Sequence, residues 1–222
     1  MLISPDPQLK AEAISLLRKE YGLTQHRDGF HQSELSYCLT KSYWDRTAWQ
    51  PPTDYELKLF CIGFALERVM LRPHEEQPPE IVLDGISISL DTLELFGPAD
   101  LKSTRMAPNG RKGEDGFQFP QGWIKQFAAY CKALKVTTFG VVVVHLIQPE
   151  IAGWRITFTQ AELDGHWDWL LNRKAQLESM LAASNPAPFE TNEAWECDGC
   201  RYKLTCDLYK MTHPGQPNLR VV

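Results

Sequence analysis

The sequence predicts an α/β chain, a mixed β-sheet flanked by helices. Three observations predict it. Helical spacing of apolar residues fills the first third of the chain, and strand-like alternation takes over near residue 80. The unbroken apolar run FGVVVVHLI (139–147) then has the length of a central strand buried on both faces. Helix and strand patterns in this order pack most simply as one sheet with helices against it. A chain of 222 residues, 43% of them apolar, can bury a full core as a single domain spanning 1–222.

Each element has its own signal. Residues 6–21, DPQLKAEAISLLRKEY, have helical spacing and stop at Gly22. After a polar loop, Ser33 can cap a second helix, ELSYCLTKSYWDRTA, which ends before QPP. Asp54 opens a third, YELKLFCIGFALERVML, which ends before Pro73, and RPHEEQPPE reads as a linker or loop. EIVLDGISISLDTLEL and FGPADLKST alternate as strands, with Gly85 and Gly97–Pro98 as turn signals. RMAPNGRKGEDGFQFPQG is rich in glycine, proline and charge and reads as a mobile loop. A helix, WIKQFAAYCKALK, follows, then strands TTFGVVVVHLI and GWRITFT, then a long helix from Gln160 to about Ala183. The tail reads as irregular and holds three of the six cysteines.

The formal charge of −5 excludes a global basic field, so any nucleic-acid binding must use a local groove. The N-terminus lacks the basic start and apolar run of a signal peptide, and no apolar stretch is long enough for a bilayer. A cytoplasmic location without membrane contact is therefore expected. Cysteine clusters in that reducing compartment more often bind metal than form disulfides.

In LFGPADLKST (95–104), Asp100 and Lys102 are two apart on a strand and leave the same face. Asp91 ends the preceding strand pattern, and a hairpin can bring it alongside. Two carboxylates and an ammonium suit metal-assisted phosphodiester hydrolysis. Mg²⁺ or Mn²⁺ takes oxygen ligands and activates phosphate and water, and a lysine offsets developing charge. An acid-x-Lys triplet alone is weak with 28 acidic residues in the chain, and Glu56–Lys58 is a second one on a helix. The solvated strand end is the plain alternative.

Two helical features strengthen the metal reading. Leu57, Phe60, Cys61, Phe64 and Leu71 form an apolar arc with Glu67 at its edge, where a metal would compensate a half-buried carboxylate. Gly63, one turn earlier, would admit a second backbone. Gln126 and Tyr130, four apart beside Trp123, could hold a phosphate or nucleobase, although an ordinary amphipathic helix has the same spacing.

The tail motif CDGCRYKLTC places Cys197, Cys200 and Cys206 in a C-x2-C-x5-C pattern. Three thiolates need a fourth ligand for zinc or for an iron–sulfur cubane, and spacing does not choose between them. Cys38, among aromatic and basic residues, is the best fourth candidate. Cys61 and Cys131 read as core residues. Such a site would staple segments about 26–50 and 186–210 together.

Taken in order, HQSELSYCLTK (His31–Lys41), GFALE (63–67), SLD…ADLK (Asp91, Asp100, Lys102), QFAAY (126–130) and the cysteine triplet resemble the RecB-type iron–sulfur nucleases of the PD-(D/E)XK superfamily. The resemblance is strongest to the CRISPR-associated exonuclease family Cas-four. The resemblance implies a restriction-endonuclease-like domain and a 4Fe–4S cluster on Cys38, Cys197, Cys200 and Cys206. It implies Mg²⁺ or Mn²⁺ on Asp91, Asp100 and Glu67, with Lys102 as catalytic lysine. His31, Gln126 and Tyr130 would contact DNA. Many members have histidine where Glu67 stands, Leu39 and Thr40 replace a usual proline and arginine, and Asp100 replaces a commoner glutamate.

The expected activity is a metal-dependent DNA exonuclease acting on single strands or frayed ends, in CRISPR spacer acquisition with adaptation proteins as partners. Phage or recombination end-processing uses the same chemistry. A metal-stapled DNA-binding or scaffold subunit is the non-enzymatic alternative, and the intact acid–acid–lysine set argues against it. Lys41, Arg46, Arg105, Arg111 and Lys112 are candidates for a basic track, with solvated surface charge as their default role.

Overall fold

The computed structural model describes residues 6–20, 28–110, 116–187 and 194–213. Helix α1 (Pro7–Glu20) is followed by a two-residue strand β1 (Phe30–His31) and by helices α2 (Gln32–Ser36), α3 (Leu39–Thr47) and α4 (Asp54–Met70). Strands β2 (Ile81–Leu83), β3 (Ile86–Ile88) and β4 (Ala99–Thr104) precede helix α5 (Gln121–Leu134). Strands β5 (Thr138–His145) and β6 (Glu150–Thr157), the long helix α6 (Gln160–Ala182), a 3₁₀ turn (Ala194–Cys197) and helix α7 (Lys203–Thr212) complete the chain.

The expected α/β class holds, with the strands divided between two mixed three-stranded sheets. In the first, β3 is central, parallel to β1 and antiparallel to β2. Its hairpin turns on Asp84 and Gly85, both at positive φ, which is the Asp-Gly geometry matched to strand twist. In the second, the valine-rich β5 is central, parallel to β4 and antiparallel to β6. The parallel β4–β5 pair requires a crossover, and α5 supplies it.

α5 and α6 cover the sheets. Phe127 of α5 stacks on Phe139 of β5 at 5.8 Å, and both are fully buried with Leu35, Ile86, Ile88 and Leu177. Each such side chain contributes about 1.5–3 kcal/mol through burial. Trp167 of α6 donates to Asp84 Oδ2 at 2.8 Å, which locks the hairpin turn onto the helix.

Four differences from the sequence reading have local causes. The single helix expected from Ser33 is broken at Tyr37–Cys38. Arg173, buried on α6, donates to the carbonyls of Leu35 (2.5 Å) and Tyr37 there. The N-cap of α2 is His31, ahead of Ser33. Part of the tail expected to be irregular forms α7. Gly63 meets open space, and Phe64 is 45% exposed, so the apolar arc of α4 is carried by Leu57, Cys61 and Leu71.

The segment that looked like a linker carries a structural carboxylate. Glu75 accepts backbone N–H groups from Leu93 (2.7 Å), Glu94 (3.2 Å) and Leu95 (3.1 Å), and the Thr92 hydroxyl. It organises the loop between Asp91 and β4. Partial burial opposes ionisation of Glu75, but these donors outweigh it and lower its pKa from 4.5 to about 2. A depressed folded-state pKa gives stability that is present above the unfolded value and lost as pH falls from about 4.5 toward 2. Replacing Glu75 by Ala should cost about 1–2 kcal/mol near neutrality and flatten the loss of stability over that acid range, measured by denaturant melts from pH 7 to 2.5. Equal acid sensitivity in both proteins would refute the role.

Candidate active site

Asp100 and Lys102 leave one face of β4, as the period-two spacing requires. Asp100 is 2% exposed, and its Oδ2 lies 2.5 Å from Lys102 Nζ without receiving a directed hydrogen bond. Asp91 lies beyond the end of β3, in the loop that Glu75 holds. An antiparallel bridge between Thr92 and Ala99 brings it back along β4, where its Oδ2 accepts the Leu101 N–H at 2.8 Å. The Asp91 and Asp100 carboxylates come within hydrogen-bonding reach.

Glu67 approaches from α4. Its Oε1 lies 3.1 Å from Arg72, which also donates to the Asp91 carbonyl at 2.6 Å and the Glu75 carbonyl at 3.2 Å. Arg72 therefore joins the helix acid to the loop acid. Sequence pattern missed it, because five-residue spacing from Glu67 at a helix end matches no template. Glu75 and Tyr37 were missed for the same kind of reason. Tyr37 packs on Gly122 of α5, where a Cβ would come within 2.9 Å of its ring.

The electrostatics are crowded. Burial raises the Asp100 pKa, the Asp91 charge raises it further, and Lys102 only partly offsets them. Burial also raises Glu67, with Asp91 adding and Arg72 opposing. For Lys102, burial favours the neutral amine, but Asp100, Tyr37 and Asp91 outweigh it and the pKa rises. The ion pair thus has both members shifted upward. The lysine follows its partner, while the aspartate follows its burial and the second carboxylate.

Glu67, Asp91 and Asp100 are oxygen donors of the class a hard divalent cation takes, and Asp100 Oδ2 is buried. Among the described residues, no three carboxylate, imidazole or thiol groups stand in a metal-holding arrangement. Arg72 and Lys102 take up part of the carboxylate charge instead.

Gln126 donates to the Tyr130 phenol at 2.5 Å, and both are buried on α5. Burial first, then Asp100 and Asp91, hold the Tyr130 pKa well above its ordinary value, so this helix borders the acid site. His31 lines a cavity with both residues.

The six cysteines are free thiols. Cys38 sits at the α2–α3 break and feels the charges of Cys206 and Cys197, and Cys206 feels those of Cys200 and Cys197. The four predicted residues therefore gather in one region. Burial is the leading cause that pushes Cys38 to about 12 and Cys206 to about 11. Thiolates there would need a compensating cation. Cys61 and Cys131 are buried in the core, as expected.

Asp45 of α3 fastens the tail independently of any metal. It accepts from Arg201 and from the buried Tyr202 hydroxyl, each at 2.7 Å. Lys41 lies near Asp45 and Glu56, Arg46 is fixed by Glu34 at 2.5 and 2.7 Å, and Arg105 donates to Tyr55 at 2.9 Å. Arg111 and Lys112 lie outside the described residues. No helix among the described residues is long and apolar enough to cross a membrane.

No family model matches the sequence, and no curated protein matches it. Among solved structures, the fold is similar to the crystal structure of SSO0001, with TM-score 0.54 and 13% identity over 88% of this chain and 95% of that one. The likeness is one of fold. The alkaline exonuclease LHK-Exo from Laribacter hongkongensis matches with TM-score 0.45 and 14% identity over 69% of this chain and 90% of that one. Its complex with dAMP gives TM-score 0.46 and 14% identity, over 70% and 91%.

The charge crowding predicts opposite effects for the two members of the ion pair. In ion-free buffer, Asp100→Asn should raise stability by about 1 kcal/mol, because it removes one of two facing carboxylates. Lys102→Met should lower it by about 2–3 kcal/mol, because it leaves Asp100 beside Asp91 without a cation. Thermal melts in EDTA read both, and a destabilised Asp100→Asn variant would contradict the crowding.

Proposed function

We propose that this chain is a metal-dependent DNA exonuclease of the PD-(D/E)XK type. The observation that carries the reading is the Asp100–Lys102 pair, buried on β4 with Asp91 and Glu67 brought to it from a loop and a helix. Asp91, Asp100 and Glu67 would hold Mg²⁺ or Mn²⁺, exchanging Arg72 and Lys102 for the ion as charge partners. When bound, the ion supplies Lewis acidity to the scissile phosphate and acidifies the attacking water.

In the ion-free site the carboxylates raise the pKa of Lys102 and favour its charged form. As a positive charge beside them it would orient the water and offset charge on phosphorus. Gln126 and Tyr130, on the bordering helix, would position the strand.

Cys38, Cys197, Cys200 and Cys206 would hold a 4Fe–4S cluster, joining the α2–α3 break to the tail that Asp45 already fastens. Single-stranded or frayed DNA is the substrate class. The Cas-four resemblance favours a role in CRISPR spacer acquisition, with adaptation proteins as partners, over phage or recombination end-processing. Gene neighbours distinguish the two.

Anaerobic purification should yield a brown protein with about four irons and four sulfides per chain, the stoichiometry of a cubane cluster. With Mn²⁺ it should degrade end-labelled single-stranded DNA. Lys102→Ala should cut the rate by about 10²–10³-fold while keeping the colour. A colourless zinc protein would reject the cluster, and an equally active Lys102→Ala variant would reject the catalytic assignment.

A further inference from the structure

Three of the candidate metal ligands each have an N–H group directed at the sulfur, and the donors differ in kind. Cys38, at the N-cap of α3, receives the backbone N–H of Lys41, and Cys200 receives that of Tyr202. Cys206 lies inside α7, where the amides that follow it are committed to carbonyls one turn earlier. Its own N–H goes to the Tyr202 carbonyl at 2.8 Å. A donor to this sulfur must therefore be a side chain, and the indole N–H of Trp44 on α3 is in reach.

The packing holds the indole in that place. Its ring meets Tyr43 edge-on at 5.1 Å and Tyr209 of α7 at 6.2 Å. Tyr209 is three residues from Cys206, on the same side of the helix, and its hydroxyl donates to Asn185 Oδ1 at 3.2 Å. Asp45, next to Trp44, fastens α3 to the tail through Arg201 and Tyr202. Trp44 Nε1 is itself buried and makes no directed hydrogen bond. Buried N–H groups are almost always partnered. A neutral thiol is a weak acceptor, whereas a metal-bound thiolate carries the charge that makes a strong one. The orphaned indole proton is thus a group that a thiolate-held metal centre at these cysteines would satisfy.

We propose that Trp44 is a positioning residue for a metal centre on Cys38, Cys197, Cys200 and Cys206, donating its indole N–H to the Cys206 sulfur. The inference rests on the reading of the cysteines as a metal site and deepens it. A hydrogen bond of this kind orients the ligand and supports metal retention. In an iron–sulfur cluster it also favours the reduced form, which carries the larger negative charge, so Trp44 holds the reduction potential up.

The test compares the anaerobically purified full chain with its Trp44→Phe variant, after assay of iron, sulfide and zinc. In a brown protein, the midpoint potential from an EPR-monitored titration should fall in the variant by about a tenfold change in the reduction equilibrium, about 60 mV for one electron. In a colourless zinc protein, the variant should lose its metal to EDTA about tenfold faster. A second variant carries benzothienylalanine at position 44, which exchanges the N–H for sulfur in a ring of the same shape. It should match Trp44→Phe, and it decides the matter if Trp44→Phe does not fold. An unchanged potential in the brown protein, an unchanged loss rate in the zinc protein, or a wild type that binds neither metal overturns the proposal. A brown protein with an unchanged potential sinks the indole donor alone, and a zinc protein with faster loss sinks the iron–sulfur reading alone.

Discussion

The structure around β4 depends on keeping like charges close together. Glu67, Asp91 and Asp100 come from a helix, a loop and a strand, and their mutual repulsion opposes folding. Two cations make the arrangement tolerable. Lys102 is built into the same strand two residues from Asp100, and Arg72 spans Glu67 and the Asp91 backbone. Buried charge is costly unless paired, and here Lys102 and Arg72 supply the pairing.

Much of the surrounding framework holds that loop and strand in place. The Thr92–Ala99 bridge returns the chain onto β4, and Glu75 gathers three backbone donors from residues 93–95. The Asp91 carboxylate then caps the Leu101 N–H on the strand that carries Lys102. A second fastening acts at the chain ends, where Asp45 holds Arg201 and Tyr202 and gathers the tail cysteines near Cys38. Gly199 supports this docking, since its positive φ and its closeness to Tyr55 leave no room for a side chain.

The site was legible in sequence where one element carries the relation. Two-residue spacing put Asp100 and Lys102 on one face, and four-residue spacing put Gln126 in reach of Tyr130. The valine run marked the central strand of its sheet. Arg72, Glu75 and Tyr37 were illegible because their partners are distant in the chain or are backbone groups of a loop without periodicity. The apolar arc on α4 misled over Phe64 and Gly63, since helical spacing shows which residues share a face and not whether anything packs there.

By itself, then, the sequence determined the α/β class, the positions of most helices, the same-face pairing on β4 and the set of thiols and acids available for metal chemistry. These follow from backbone periodicity, which acts over a few residues. Only the tertiary structure decided that the strands form two sheets, that Arg173 breaks the second helix, that Arg72 joins Glu67 to Asp91, and that the indole of Trp44 on α3 comes within reach of Cys206 on α7. Those outcomes depend on contacts between segments far apart in the chain, which no local pattern encodes.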